Sequence, residues 1–169
     1  MEMFKINRKR YTAVTEFFKN NKTANLILKI IYKFLPFLVF VLYPIGIVWV
    51  FFEQSEIFFQ FVLVPFGVFL MVTVLRKLIN EQRPYERYGI EPVFFKDTKG
   101  KSMPSRHTAS SFIISMAMLK INLYLGIVYL AVSLIITTSR VLAGVHYIRD
   151  VLVGMAISVV IGYIFLFLI

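Results

Sequence analysis

At 169 residues, with no cysteine, 59% hydrophobic residues and a formal net charge of +10, the chain is too oily for a soluble domain and carries no disulfide or thiolate chemistry. Its two histidines, His107 and His146, exclude a histidine-rich metal site. A mean hydropathy of +0.76 with long uncharged runs points to a polytopic membrane protein, whose excess cations serve anionic headgroups or a phosphorylated substrate ahead of nucleic acid.

Residues 1–33 interleave Lys5, Arg8, Lys9, Arg10, Lys19, Lys22, Lys29 and Lys33 with Phe17, Phe18, Leu26, Ile27, Ile30 and Ile31 at roughly helical spacing. This pattern predicts one or two basic amphipathic helices on the membrane surface, with a break at Asn20-Asn21. No small-residue cleavage site follows a short apolar core, so no cleavable signal peptide is expected. Phe34–Phe52 is the first uncharged span, with Pro36 and Pro44 tolerated as in other membrane helices. A short turn through Glu53 and Glu56 leads to the second, Ile57–Leu75.

Arg76 to Lys101 is the longest connection, rich in charge, and long connections tend to carry function. A shorter third span, Ser105–Ile121, carries Thr108, Ala109, Ser110, Ser111 and Ser115; such small and hydroxyl residues allow close helix approach and predict a central helix. Leu123–Thr138 and Val151–Ile169 complete five spans, and Gly154, Ser158 and Gly162 offer a close-packing stripe. The expected fold is therefore an all-α polytopic membrane helix bundle of about five transmembrane helices, six if residues 11–33 also cross. Residues 1–33 form a surface segment and residues 34–169 the transmembrane unit.

With five spans, parity brings three polar clusters to one side of the bilayer. The first is Arg76-Lys77 with Arg83-Pro84. Arg76 and Arg83 stand two helical turns apart, so both can point one way; snorkelling at a helix end is the bland alternative. The second is Pro104-Ser105-Arg106-His107, where Ser105 can cap a helix whose free N–H groups suit a phosphate. The third runs from Ser139 and Arg140 to His146 and Asp150. If Tyr147 onward is helical, His146 and Asp150 lie at i and i+4, within reach of each other, and Arg140 adds a fork of donors suited to phosphate oxygens. An ordinary helix connection at the headgroups is the alternative.

Together these stretches resemble the three-part signature of the type 2 phosphatidic acid phosphatase family, which also includes vanadium haloperoxidases. The pattern reads Lys-x6-Arg-Pro, then Pro-Ser-Gly-His, then Ser-Arg-x5-His-x3-Asp. The third part is complete here; Arg106 replaces Gly in the second, and Arg76 replaces Lys in the first, with Lys77 beside it. The resemblance implies that His146 is the nucleophile forming a phosphohistidine, Asp150 its orienting carboxylate and His107 the acid and then the base. It implies that Arg76 or Lys77, Arg83, Ser105 and Arg140 hold the phosphate, with Arg106 an added cation at the pocket mouth.

The expected activity is thus a membrane lipid phosphatase working without metal or cofactor. Its partners are a lipid phosphate and the surrounding membrane lipids, not nucleic acid. Phosphatidic acid, phosphatidylglycerophosphate and a polyprenyl diphosphate are the candidate substrates. Phosphotransfer to a lipid or sugar acceptor and a non-catalytic anionic-lipid-binding role are the alternatives. Of the 19 basic residues only Lys120 lies on the far side, so the positive-inside rule predicts a cytoplasmic site. A sixth crossing would bury Lys19, Lys22, Lys29 and Lys33, at about 2.5–3.5 kcal/mol for each one near the bilayer centre.

Overall fold

A computed structural model describes residues 8–169; Lys5 of the basic segment lies outside the described residues. Helix α1 (Arg8–Asn20) ends at the expected Asn20-Asn21 break. There Asn21 caps the next helix, its side-chain oxygen accepting the Ala24 N–H at 3.0 Å. That helix, α2 (Lys22–Glu53), then runs unbroken through the boundary expected between residues 33 and 34. Its 32 residues would measure about 48 Å against a hydrocarbon core of about 30 Å, so one end must project into the headgroups. The lysines 22, 29 and 33 all sit at that end. α1 does not simply float on a surface: Tyr11 and Thr15 on one face are buried in the protein.

Chain reversal through a 3₁₀ turn (Ser55–Ile57) leads to α3 (Phe58–Ile79), and the short α4 (Pro84–Tyr88) follows. After an irregular strap come α5 (Arg106–Ile121), α6 (Leu123–Leu142) and α7 (Ile148–Tyr163), the last extended by a π-helical turn, Ile164–Leu168. Among the described residues, four helical stretches are long and apolar enough to cross a membrane: 22–53, 55–88, 123–142 and 148–168. α5, expected as the third span, has only 16 residues, and the five-span count rests on it. It is the centre of the bundle, with every residue from Thr108 to Met118 buried.

Small residues make this possible. Ser115 and Ser133 hydroxyls pair at 2.9 Å between α5 and α6, and Ser158 on α7 donates to the Ala109 carbonyl at 2.7 Å. A side chain at Gly154 would meet the Ser105 carbonyl at 2.8 Å, so only glycine lets α7 approach the start of α5 this closely.

The prolines have a further consequence. A helical proline has no N–H and leaves the carbonyl four residues earlier unpaired. Pro36 thereby frees the Tyr32 carbonyl, which accepts Nη2 of Arg140 at 3.0 Å. Pro65 frees the Phe61 carbonyl in the same way, and the Tyr43 hydroxyl donates to it. These two acceptors are taken by side chains from other helices, which fixes α2 against α6 and α3.

Candidate active site

The last turn of α3, the strap, the start of α5 and the α6–α7 connection meet at one end of the bundle. Asp150 ties them together. Fully buried, its Oδ2 accepts the Tyr147 N–H at 3.0 Å and the Ser102 hydroxyl at 2.5 Å, while its backbone carbonyl accepts the Ser105 N–H at 2.9 Å. The same Oδ2 lies 3.5 Å from Nδ1 of His146.

This contact differs in origin from the shared helix face expected. Tyr147 is the N-cap of α7, so His146 precedes the helix and Asp150 is the third residue inside it. The carboxylate folds back over the helix start, as a capping side chain does, and meets the imidazole there. His146 is 3% exposed. Burial, reinforced by Arg83 and Arg76 and opposed by Asp150, brings its pKa down to about 4, so the ring is neutral and its lone pair available at ordinary pH. With Nδ1 turned toward Asp150, Nε2 is the nitrogen left for a substrate.

Around the imidazole stand the arginines. Arg83, 2% exposed, donates through Nε to Gly100 O (3.0 Å), through Nη1 to Val145 O (3.2 Å) and through Nη2 to Lys101 O (3.4 Å). Arg76 donates to the same Lys101 carbonyl at 2.6 Å. The expected two-turn alignment of Arg76 and Arg83 does not occur, because α3 stops at Ile79 and Asn80 turns left-handed (φ 44°). The two converge through that turn instead, and Glu81 pins it to α7 by a bond to Arg149. Lys77, the alternative to Arg76, is exposed on the outer side of α3 and is not brought to the site.

Arg140 lies flat on the Tyr32 ring, 4.0 Å from its centroid, and its buried Nε has no acceptor. An orphaned buried guanidinium N–H is costly and matches an anionic ligand. Ser105 is fully buried but makes no side-chain cap; its hydroxyl accepts from Thr108 at 3.2 Å. The first intrahelical bond of α5 is Ala109 N–H to Ser105 O, which leaves the N–H groups of residues 106–108 for a ligand. His107 and Arg106, with Phe40, Phe69 and Ser110, line a cavity of about 270 Å³. It shares Phe40, Phe69 and Ser110 with an apolar groove of about 310 Å³ running between α2, α3 and α5. A polar end and a hydrocarbon path are therefore contiguous. Among the described residues, no group of three or more His, Cys, Asp or Glu side chains is gathered as a metal-binding set.

Sequence reasoning passed over three contributors. Ser102 bonds Asp150 from the strap, and Lys96 faces the arginines from the same segment. Neither lies in a recognisable motif, and only their position in the long charged connection pointed to them. The third, Tyr11, donates its hydroxyl to the Gly144 carbonyl at 2.8 Å, two residues before His146. Gly144 has φ +74°, and a side chain there would sit 2.6 Å from the tyrosine oxygen, so the glycine is required twice over. α1 thus braces the loop that carries His146. Tyr11→Phe is expected to leave the Gly144 carbonyl without its partner at a cost of about 1–3 kcal/mol, lowering both the unfolding temperature in detergent and kcat, with KM little changed. A full kcat in a destabilised Tyr11→Phe protein would reduce the tyrosine to a packing residue.

A family model described as the PAP2 superfamily matches residues 57–169. Undecaprenyl-diphosphatase BcrC from Bacillus subtilis is 31% identical over 97 residues, covering 57% of this chain and 50% of that protein. The chain thus matches about half the length of this curated relative. The crystal structure of LpxE from Aquifex aeolicus superposes with a TM-score of 0.75 at 22% identity, covering 98% of both chains. The first transmembrane PAP2 type phosphatidylglycerolphosphate phosphatase from Bacillus subtilis gives 0.57 at 18% identity, covering 93% of this chain and 73% of the other. These two likenesses establish a shared fold.

Proposed function

The chain belongs to the PAP2 superfamily, and from that membership we propose that it is a membrane lipid phosphatase acting through a phosphohistidine on Nε2 of His146. The observation that carries this reading is a buried, neutral His146 backed by Asp150 and flanked by Arg83 and Arg76, with the neighbouring His107 lining a cavity contiguous with an apolar groove.

Each group has a role in the reaction. The arginines and the free N–H groups of α5 neutralise the three equatorial oxygens, the main requirement of phosphoryl transfer. Nε2 attacks phosphorus in line as the P–O bond to the lipid breaks, and His107 gives its proton to the departing oxygen. The negative charge of the bound phosphate favours that protonated form. Water then takes the lipid's place. His107 accepts a proton from it, its oxygen bonds to phosphorus, and the P–N bond breaks to restore His146. Asp150 fixes the ring and supports its positive character while the P–N bond exists.

The lipid class follows from placement: the groove between α2, α3 and α5 takes the chain while the headgroup reaches the arginines. Phosphatidic acid, phosphatidylglycerophosphate and polyprenyl diphosphate all fit that description. In this reading residues 34–169 are the catalytic unit and residues 1–33 a basic accessory segment gripping the membrane.

The test is phosphate release by the purified full chain in detergent, with EDTA present, from these three lipids in ¹⁸O-labelled water. Release of phosphate containing one atom of ¹⁸O is expected. A protein that moves phosphate only to added acceptors would be a transferase, and one that releases none from any lipid would be no phosphatase.

A further inference from the structure

The strap from Gly89 to Ser102 crosses the mouth of the site, and besides the bonds of Gly100, Lys101 and Ser102 given above, three contacts hold its middle. Val93 N–H bonds to Ala143 O at 3.2 Å, the Phe94 ring packs tilted against Tyr32 with centroids 5.1 Å apart, and the Tyr85 hydroxyl donates to Thr98 O at 2.5 Å. Between the last two anchors the chain alternates. Phe95 (92% exposed) and Asp97 point away, while Lys96 is half-buried and turned inward. The charged groups facing it are Arg76 from α3, Arg83 before α4, Arg106 and His107 from α5, and Arg140 from α6. Among the described residues no carboxylate accepts from it. Asp150 and Glu86 are the acids within electrostatic reach of Arg83, and both are occupied with backbone N–H groups, Glu86 accepting that of Gly100 at 2.8 Å. Arg106 is likewise without an acidic partner, its guanidinium 5.5 Å from the centre of the Phe69 ring.

A single phosphate monoester is accounted for by Arg76, Arg83, Arg140 and the start of α5. Two cations then remain at its edge, the half-buried Lys96 and the exposed Arg106, neither paired with a carboxylate among the described residues. The half-buried Lys96 is repelled by the four arginines that face it, Arg106 acting from the exposed rim, and a ligand of higher charge offsets that repulsion.

We propose that Lys96, together with Arg106, forms a second anion subsite beside the phosphate pocket, which selects lipids carrying a second phosphorus-centred anion next to the scissile phosphate. The inference rests on the phosphatase reading above. The second anion can be the outer or inner phosphate of a lipid diphosphate or the phosphodiester of phosphatidylglycerophosphate; phosphatidic acid has neither. Burial among the arginines lowers Lys96 to about 8. The free enzyme therefore loses this charge as pH rises past 8, whereas an arginine at the same place keeps it.

The experiment compares kcat/KM for phosphatidic acid, phosphatidylglycerophosphate and a polyprenyl diphosphate in the parent, Lys96→Gln and Lys96→Arg. The parent is expected to prefer one of the doubly anionic lipids, and which one identifies the source of the second anion. Lys96→Gln should cut that preference by about 10-fold or more, chiefly through KM, the scale of a lost charge-assisted hydrogen bond. Lys96→Arg should keep it. Above pH 8 the preference should decline in the parent and persist in Lys96→Arg. Parallel losses on all three lipids, or an unchanged ratio, would assign Lys96 to general attraction and overturn the subsite. A parent inactive on every lipid would remove the phosphatase reading as well, an outcome visible before any variant is made.

Discussion

Replacing His146 with alanine is expected to abolish turnover, by at least about 10⁴-fold in kcat, the scale seen when a covalent nucleophile is removed from a preorganised site. The fold should survive. His146 lies before the first turn of α7, and Asp150 Oδ2 keeps its bonds from Tyr147 N–H and Ser102 when the ring is gone. Acid is an unsuitable quench for a phosphoramidate, so denaturing the parent in alkali during turnover of a ³²P-labelled lipid should trap a protein-bound label, absent from His146→Ala. Asp150→Asn separates nucleophile from orienter. It keeps the shape but removes the charge supporting the ring, and should slow phosphoenzyme formation without removing it. An active His146→Ala protein, or a label that persists in it, ends the mechanism.

The second large effect is at His107. An alkoxide is a poor leaving group and needs its proton; a nitrophenolate does not. His107→Ala should therefore lose about 10²–10⁴-fold in kcat/KM on lipid monoesters, the range of general acid catalysis, and far less on p-nitrophenyl phosphate. His107 lines the cavity with Arg106, Phe40, Phe69 and Ser110 and has Arg140 and His146 as electrostatic neighbours, so in the proposed reaction it lies between the phosphate and the lipid side. Equal losses on both substrates would make His107 a phosphate ligand.

These two expectations start from residues legible in the chain alone, but their geometry was not. The seven-residue gap from Arg76 to Arg83 reads as two helical turns, yet a left-handed Asn80 ends α3 and the guanidiniums meet across a turn. Periodicity cannot register a one-residue backbone reversal, because asparagine adopts either hand at little cost. The same limit applies to His146 and Asp150. Their spacing is right, and a helix cap rather than a helix face joins them. α1 reads as a surface helix because its charges dominate its pattern, while a single tyrosine, Tyr11, commits it to the Gly144 loop.

The chain by itself determined the membrane bundle, the central place of the small-residue helix and the three polar clusters at one end. Those follow from solvent: uncharged runs must enter lipid, charged connections must leave it, and the antiparallel run of consecutive helices then gathers alternate connections at one end. Tertiary structure alone decided the rest. It left Lys77 outside and drew in Lys96 and Ser102, and it gave the carbonyl freed by Pro36 to Arg140. Each of those outcomes depends on which orphaned donor meets which orphaned acceptor across distant segments. A buried polar group is satisfied by whatever the fold brings near it, and sequence spacing carries no record of that distance.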